Sequence, residues 1–292
     1  MVFKRSTALI TFALAGYSLS GCGAIIRSNI DTQPRVHVAP STVETPSEIV
    51  KGRAVAYSVG ISAAGCDDDL VKYAPIIIQG FQPDPNKTEY DYWSDGIGMP
   101  ICSADGDSIR VDASNPMVFG RVEHATLYDT PLKQLTYVYW YPRRDVGSIE
   151  TGEVDGGILR ITLDAAGNPA IFEFSQTCGC YYGVFAATRT EEQAQQEFGS
   201  AQEPRKHSLE SPSESSDWIV RDVIDADAGQ QPVLYISAGE HFCELLRFVD
   251  RAAPLGAADT KQYSLDHYER LEAIPSDAGG TISMFNDQKL VR

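Results

Sequence analysis

The sequence has few basic residues, no internal repeat and no long apolar run beyond its first twenty residues. It holds 24 Lys and Arg against 40 Asp and Glu, which gives a formal net charge of −16. A field of this sign repels the phosphates of DNA and RNA, so we expect no nucleic-acid partner. No later run reaches the roughly 18 apolar residues that a membrane helix needs, so we expect no second span.

The N-terminal segment has the pattern of a secretion signal. Lys4 and Arg5 precede an apolar run, Ala8–Leu19, that is too short to cross a bilayer. The run ends in Leu19-Ser20-Gly21-Cys22, which resembles the lipobox of bacterial lipoproteins. The resemblance implies cleavage before Cys22 and a thioether-linked diacylglycerol on its sulfur, with palmitate-like acyl chains in the membrane. The alternative is an ordinary cleaved signal in which this cysteine is incidental.

This resemblance predicts the organisation and location of the chain. Residues 1–21 are the lipoprotein signal peptide, 22–50 a flexible polar tether, and 51–292 a single β-rich globular domain. A mobile polar insertion is expected at about 190–217, where large apolar groups are scarce. Gly23 follows the cysteine where Asp would stand in an inner-membrane lipoprotein, so the expected location is the cell envelope, on the outer membrane facing the periplasm.

The fold class follows from alternating apolar and polar residues. Asp155–Tyr182 contains two β-rich runs around Asp164–Asn168, which is the pattern of a hairpin. Short helices are expected after Asp67-Asp68-Asp69, within Thr190–Phe198, and over Ser264–Ile274 with Ser264 as N-cap. We expect an α+β, β-rich chain with a predominantly antiparallel sheet or sandwich. Further strands are expected at 53–60, 76–78, 108–112, 117–126, 134–141, 218–224 and 232–237.

Four segments, in this order, resemble the Vps62-like proteins. They are Lys72–Ile77, Tyr137–Tyr141, the Gly157–Ser175 hairpin and Gln231–His241, and the match spans about half of the mature chain. The resemblance implies a shared fold. The family's His-Glu-Gly-Asp-Trp-Glu signature is reduced here to Glu153-Val154-Asp155-Gly156, so no shared activity is implied.

Six cysteines are present, and five remain if Cys22 carries lipid. Two pairs of residues lie two positions apart, Cys178 with Cys180 and His241 with Cys243. Residues with this spacing share a face in an extended chain. These four residues predict a disulfide of Cys243 with Cys178 or Cys180, or a metal cluster for Zn²⁺ or Cu(I). The same residues offer thiol catalysis, with His241 or His124 as base. Cys66 and Cys102 are a second candidate disulfide. An odd number of thiols leaves one unpaired.

Acidic side chains give two further candidate sites. Glu150, Glu153 and Asp155 precede the hairpin and offer a general acid and base, although a solvated loop is the commoner meaning of such a group. Asp84–Thr88 with Asp95 loosely resembles a calcium loop but lacks the glycine that the loop requires at its turn.

Aromatic residues concentrate at Gln134–Tyr141. Alternation places Tyr137, Tyr139 and Tyr141 on one face, either in the core or as a stacking platform for a sugar or peptide ligand.

The sequence therefore favours a membrane-anchored envelope lipoprotein with a binding or accessory role. Its expected partners are the membrane, through the lipidated N-terminus, and an envelope protein or glycan ligand; no cofactor is expected. The alternative is a hydrolytic or thiol- or metal-dependent enzyme. Convergence of Glu153, Asp155, His124 or His241 within hydrogen-bond reach would favour catalysis.

Overall fold

The structure is a computed structural model. It describes residues 53–81, 94–102, 108–127, 130–144, 154–179, 181–203, 205–210, 220–251, 259–276 and 279–285. Two α-helices lie in these ranges, α1 (Asp68–Lys72) and α2 (Thr188–Phe198), with a 3₁₀ helix at Tyr268–Glu272. The strands are β1 (Arg53–Ser62), β2 (Ile76–Phe81), β3 (Met99–Cys102), β4 (Ile109–Asp112), β5 (Met117–Leu127), β6 (Thr130–Tyr141), β7 (Asp155–Leu163), β8 (Pro169–Gln176), β9 (Tyr182–Ala187), β10 (Val220–Ile224), β11 (Gln230–Ile236), β12 (Cys243–Asp250), β13 (Asp259–His267), β14 (Ile274–Pro275) and β15 (Thr281–Ile282).

Eleven strands form one sheet, in the order β10-β9-β8-β7-β6-β5-β13-β1-β2-β11-β12. Six of its strand pairs are antiparallel. Four are parallel, and they involve β13 with both β1 and β5, β2 with β11, and β9 with β10. The β-rich expectation is confirmed, but the sheet is mixed where a predominantly antiparallel sheet or sandwich was expected.

The sheet curls until its two edges approach each other. Phe172 of β8 meets Phe248 of β12, with ring centroids 5.0 Å apart. The concave face encloses the main core, which draws on β1, β2, β6–β9 and β11–β13. On the convex face, Phe119 and Trp140 are covered by Leu271, Met284 and Phe285 from the C-terminal segment. The middle of the sheet is therefore buried on both faces.

The hairpin and the first two helices are confirmed. Asp164 organises the β7–β8 turn by accepting hydrogen bonds from the backbone N–H groups of Ala166 and Asn168. Asp67 caps α1 by accepting from the N–H of Asp69.

The helix expected over Ser264–Ile274 is wrong in its first half. That stretch continues β13 to His267 and then forms one 3₁₀ turn. Tyr263 and Leu265 are both buried, because β13 lies between two strands and its alternating side chains fill the core. Tertiary packing overrides the helical spacing.

The polar insertion expected at 190–217 is ordered over part of its length. Glu210 is buried and accepts hydrogen bonds from the N–H groups of Lys206, His207 and Val220. Glu191 of α2 accepts from the N–H of Ser208. These carboxylates hold 205–210 against the sheet, while 211–219 lie outside the described residues.

Candidate functional site

Three ionisable side chains converge at one end of the sheet. His241 Nδ1 lies 2.7 Å from Asp155 Oδ2, and its Nε2 lies 3.1 Å from Asp95 Oδ1. The His241 side chain is 1% exposed and each carboxylate 4%. We call these three residues the acid–histidine cluster. In the chain His241 is 86 positions from Asp155 and 146 positions from Asp95, so only the fold brings the three together.

Each member is placed by a different element. Asp155 is the first residue of β7, paired with Tyr141 at the end of β6. Asp95 lies in the turn before β3, where Gly98 bridges to Trp140. His241 lies in the turn between β11 and β12, with a positive φ of 55° that is unusual for a residue other than glycine.

A second group of side chains holds the cluster. The Tyr141 ring stacks on the His241 imidazole, with centroids 3.8 Å apart and an interplanar angle of 11°. The Tyr141 hydroxyl donates to Gln79 Oε1 over 2.6 Å, and Gln79 Nε2 donates to the carbonyl of Ser237. The N–H of Gly239 donates to Asp95 Oδ1. The imidazole is thus fixed in plane and position.

The charges define the protonation of the histidine. Burial lowers the pKa of His241, but its hydrogen bonds to Asp155 and Asp95 and their negative charges outweigh burial and raise that pKa above its ordinary value. The imidazolium form donates from both ring nitrogens, which matches two facing carboxylates. Burial, with the charge of Asp95 beside it, also raises the pKa of Tyr57, which therefore stays neutral.

The cluster contains an acid and a base, but the described residues leave neither of them accessible to a substrate. A general acid or base must reach a proton on its substrate, directly or through one water. Both ring nitrogens are already occupied, and the three side chains are almost fully buried. The cluster joins three chain segments that are far apart in sequence.

Of the other predicted acid–base residues, none joins this cluster among those described. His124 is exposed on β5, opposite Lys133 of β6. Glu150, Glu153 and the Asp84–Thr88 loop lie outside the described residues. Asp95, the last member of the calcium pattern, faces His241 instead.

The predicted ligand platform is wrong. Tyr137, Tyr139 and Tyr141 do share a face, but all three are fully buried in the main core. Their face is the concave one, and the curl of the sheet closes it.

Cys66, Cys102 and Cys243 form no disulfide in the structure. Cys66 lines a surface groove, and Cys102 ends β3 in a separate two-stranded sheet, so the expected pair of Cys66 with Cys102 is not formed. Cys178 is exposed near Arg144, with its sulfur 3.5 Å from Nη1. Cys243 is buried and its thiol donates to the carbonyl of Leu245.

The expected metal cluster does not assemble among the described residues. Both ring nitrogens of His241 face carboxylates rather than the sulfur of Cys243. No group of three or more His, Cys, Asp or Glu in the described ranges is placed to hold a metal ion. Cys180, the remaining predicted ligand, lies outside them.

An open groove of about 740 Å³ lies at the opposite end of the sheet from the cluster. It is bounded by the turn after β1 (Ser62–Cys66), by α1, and by Gly229 and Arg251. Arg251 donates to the carbonyl of Lys72, so it also caps the C-terminal end of α1. The lining of the groove includes small, apolar and charged side chains, the last of both signs.

The fold and the cluster define a β-rich protein with a curled mixed sheet and a sealed acid–histidine group. Comparison with known proteins found no matching family model, no matching curated protein and no matching solved structure. Among the described residues, no helix has the length and apolar character needed to cross a membrane.

Proposed function

We propose that this protein is a lipid-anchored binding protein of the bacterial cell envelope. The observation that supports a binding role is a contrast in access. The acid–histidine cluster is sealed, whereas the groove at the other end of the sheet is open. Binding needs an accessible surface, and catalysis needs accessible reacting groups.

The anchor in this proposal is Cys22. Diacylglycerol and an N-acyl chain each contribute about 0.8 kcal/mol per buried CH₂, so several chains bind the membrane almost permanently. The residues between Cys22 and the start of β1 act as the tether. The sequence pattern of Lys4, Arg5, the apolar run and the lipobox supports this part.

Inhibition of the lipoprotein signal peptidase tests the anchor. Globomycin should leave a slower-migrating unprocessed form, and radioactive palmitate should label the wild-type protein. The Cys22→Ser variant should take up no label and leave the membrane fraction. A mature wild-type protein whose mass equals that of its unmodified amino acids overturns the proposal.

The groove can be tested by filling it. A Cβ added at Gly229 meets no atom within 4 Å, and no positive φ restricts this residue, so Gly229→Trp should fold. Gln193→Trp, on the exposed face of α2 and outside the groove, is the matched control. Envelope glycan is the probe, as purified peptidoglycan and a glycan array.

We expect the wild-type protein and Gln193→Trp to bind the glycan probe, and Gly229→Trp to bind at least about tenfold more weakly, a loss of roughly 1.4 kcal/mol. Equal binding by both variants rejects the groove as the site. No binding by the wild-type protein rejects the glycan as the ligand, and crosslinking in the envelope then tests a protein partner with the same two variants.

Hydrolysis is a second candidate, favoured by one observation. Asp155 and His241 meet at 2.7 Å, as a base and the group that orients it would. This function needs the turn that carries His241 to open. An ester or amide substrate whose turnover is lost in Asp155→Asn, in a protein that remains folded, would support it.

A further inference from the structure

We infer that the acid–histidine cluster is a pH-dependent attachment, which we call the pin. It holds the turn between β11 and β12 against the end of the sheet while His241 carries two protons. The inference does not depend on the binding role. It rests on the geometry of the turn, on the two carboxylates, and on the chemistry of an imidazole placed between them.

The turn is held in a conformation that it would not adopt unaided. His241 has a φ of 55°, in the left-handed region, which is uncommon and mildly strained for a residue other than Gly, even for the Asn, Asp and His residues that enter it most often. Such strain persists only where surrounding contacts fix it. Here they are the two carboxylates, the stacked Tyr141 ring, and the N–H of Gly239 on Asp95.

Loss of one proton removes part of this support. A neutral imidazole has a single N–H donor, so one of its nitrogens becomes an acceptor. That nitrogen would face a carboxylate oxygen at about the distance of the present hydrogen bonds, 2.7 or 3.1 Å. Two buried acceptors in contact repel each other, which favours opening of the turn.

The direction of the pH dependence follows from linkage. The pKa of His241 is raised in the folded protein, so its contribution to stability is complete below the unfolded value, about 6.5. That contribution is lost as pH rises through the folded pKa. The pin therefore holds below about pH 6.5 and releases as pH rises through the raised pKa of His241 in the folded protein.

The other groups around the cluster keep their charge over this range. Burial raises the pKa of Tyr139 and Tyr141 well above their ordinary values, and burial also raises the pKa of Tyr57 and Cys243. All four stay neutral. Arg144 lies 3.5 Å from Glu240 of the turn and near the Phe242 ring.

Imidazole ¹⁵N NMR on histidine-labelled protein tests the charge state. We expect one histidine, assigned by its absence in His241→Asn, to keep both nitrogens protonated at pH 6.5, where an imidazole of ordinary pKa is about half neutral. Asp155→Asn should lower its midpoint, with a tenfold change in proton affinity for each pH unit. A neutral His241 imidazole at pH 6 overturns the inference.

Hydrogen exchange tests the mechanical role. The measured quantity is the exchange of amides 237–243 relative to core amides of β5 and β6, corrected for intrinsic rates at each pH. In the wild-type protein this ratio should rise between pH 6 and pH 9, by about tenfold for each pH unit that separates the folded from the unfolded pKa of His241. His241→Asn tolerates the positive φ but lacks the charge, so its ratio should be high and flat.

His241→Gly separates backbone strain from charge. Glycine relieves the strain of the positive φ. If the side-chain contacts of His241 contributed nothing, this variant would therefore protect the turn better than the wild-type protein does. A pin predicts the opposite, because the two carboxylates lose their partner. Wild-type protection of the turn in His241→Gly or His241→Asn overturns the inference.

Discussion

At the residue scale, Tyr141 connects the acid–histidine cluster to the core. Its ring stacks on His241 and its hydroxyl donates to Gln79. Tyr141→Phe keeps the ring and leaves the Gln79 acceptor buried without its donor. We expect a loss of about 1–3 kcal/mol in the free energy of unfolding, measured by urea denaturation.

Tyr139→Phe is the matched control for this prediction. Tyr139 is equally buried on the same strand, but its hydroxyl has no hydrogen-bond partner among the described residues. Its removal should cost less than about 1 kcal/mol. Equal losses in the two variants would show that the Tyr141 hydrogen bond contributes nothing of its own.

Residue-level expectations were correct where the information is local. Alternation placed Tyr137, Tyr139 and Tyr141 on one face, and the acidic run Asp67-Asp68-Asp69 indicated the start of a short helix. Alternation assigns side chains to the two faces of β6 but does not show what covers each face. In the structure both faces are covered. The sequence also could not pair Asp95 with His241, since the partners are 146 positions apart and no local pattern records such a contact.

At the element scale, the β6–β7 pair depends on a glycine beneath an aromatic ring. A Cβ on Gly157 would lie 2.6 Å from Cζ and Oη of Tyr139, which faces it across the pair. Gly157→Ala should cost at least about 2 kcal/mol in thermal or urea unfolding, because the core cannot move aside. Tyr139→Leu should relieve this clash, so the double variant should lose at least about 1 kcal/mol less than the sum of the single changes.

Gly156→Ala provides the comparison. Its added Cβ would meet the backbone oxygen of Tyr139 at 2.7 Å. A change of the Tyr139 side chain leaves that oxygen in place, so Tyr139→Leu should not rescue Gly156→Ala. Rescue of both variants, or of neither, would contradict a specific contact between the Gly157 position and the Tyr139 ring.

The segment after α2 gives a second prediction at this scale. Glu210 gathers three backbone N–H groups, including that of Lys206. Glu210→Ala leaves these donors unpaired, so trypsin should cleave after Arg205 or Lys206 at least about tenfold faster, as expected when roughly 1.5–3 kcal/mol of local hydrogen bonding is lost. Exposed Glu203→Ala should cleave at the wild-type rate.

Strands were predicted correctly where apolar and polar residues alternate. The prediction failed where neighbouring strands determine the backbone conformation. Arg53–Ser62 and the β7–β8 hairpin are readable because their turns and alternation agree. The stretch after Ser264 has helical spacing at Leu265, Tyr268 and Leu271, yet its first part is a strand held by β1 and β5. Propensity is a weak guide when two strands already offer hydrogen bonds.

At the scale of the whole molecule, the described thiols differ widely in access. Cys178 is exposed, Cys66 is half-buried, and Cys102 and Cys243 are buried. Burial also raises the pKa of Cys243 and, to a lesser degree, that of Cys66. Iodoacetamide at pH 7.5 should therefore label Cys178 first and leave Cys243 unlabelled until urea is added, as read from peptide masses.

Protein reduced beforehand is the starting material, so that no disulfide hides a sulfur. Labelling of Cys243 in the native state would contradict its burial. Protection of Cys178 that disappears only on reduction would instead show that it is paired in the oxidised protein, as the sequence predicts for an oxidising compartment.

The order of the eleven strands lay beyond sequence reasoning. Neighbouring strands along the chain pair from β5 through β9, and these pairs are antiparallel; of them, the β7–β8 hairpin was predicted. The parallel contacts join segments far apart, such as β13 with β1. No turn pattern marks such a pairing, which is why an antiparallel sheet was expected and a mixed one formed.

The position of β13 has a consequence for synthesis. This strand leaves the ribosome after the other ten strands of its sheet, yet it lies between β1 and β5 and joins the two halves of the sheet. A nascent chain cut short before Asp259 would hold two half-sheets with unpaired inner edges. The sheet is complete only when β13 has been made, so its earlier strands must wait for a late partner before their inner edges are paired.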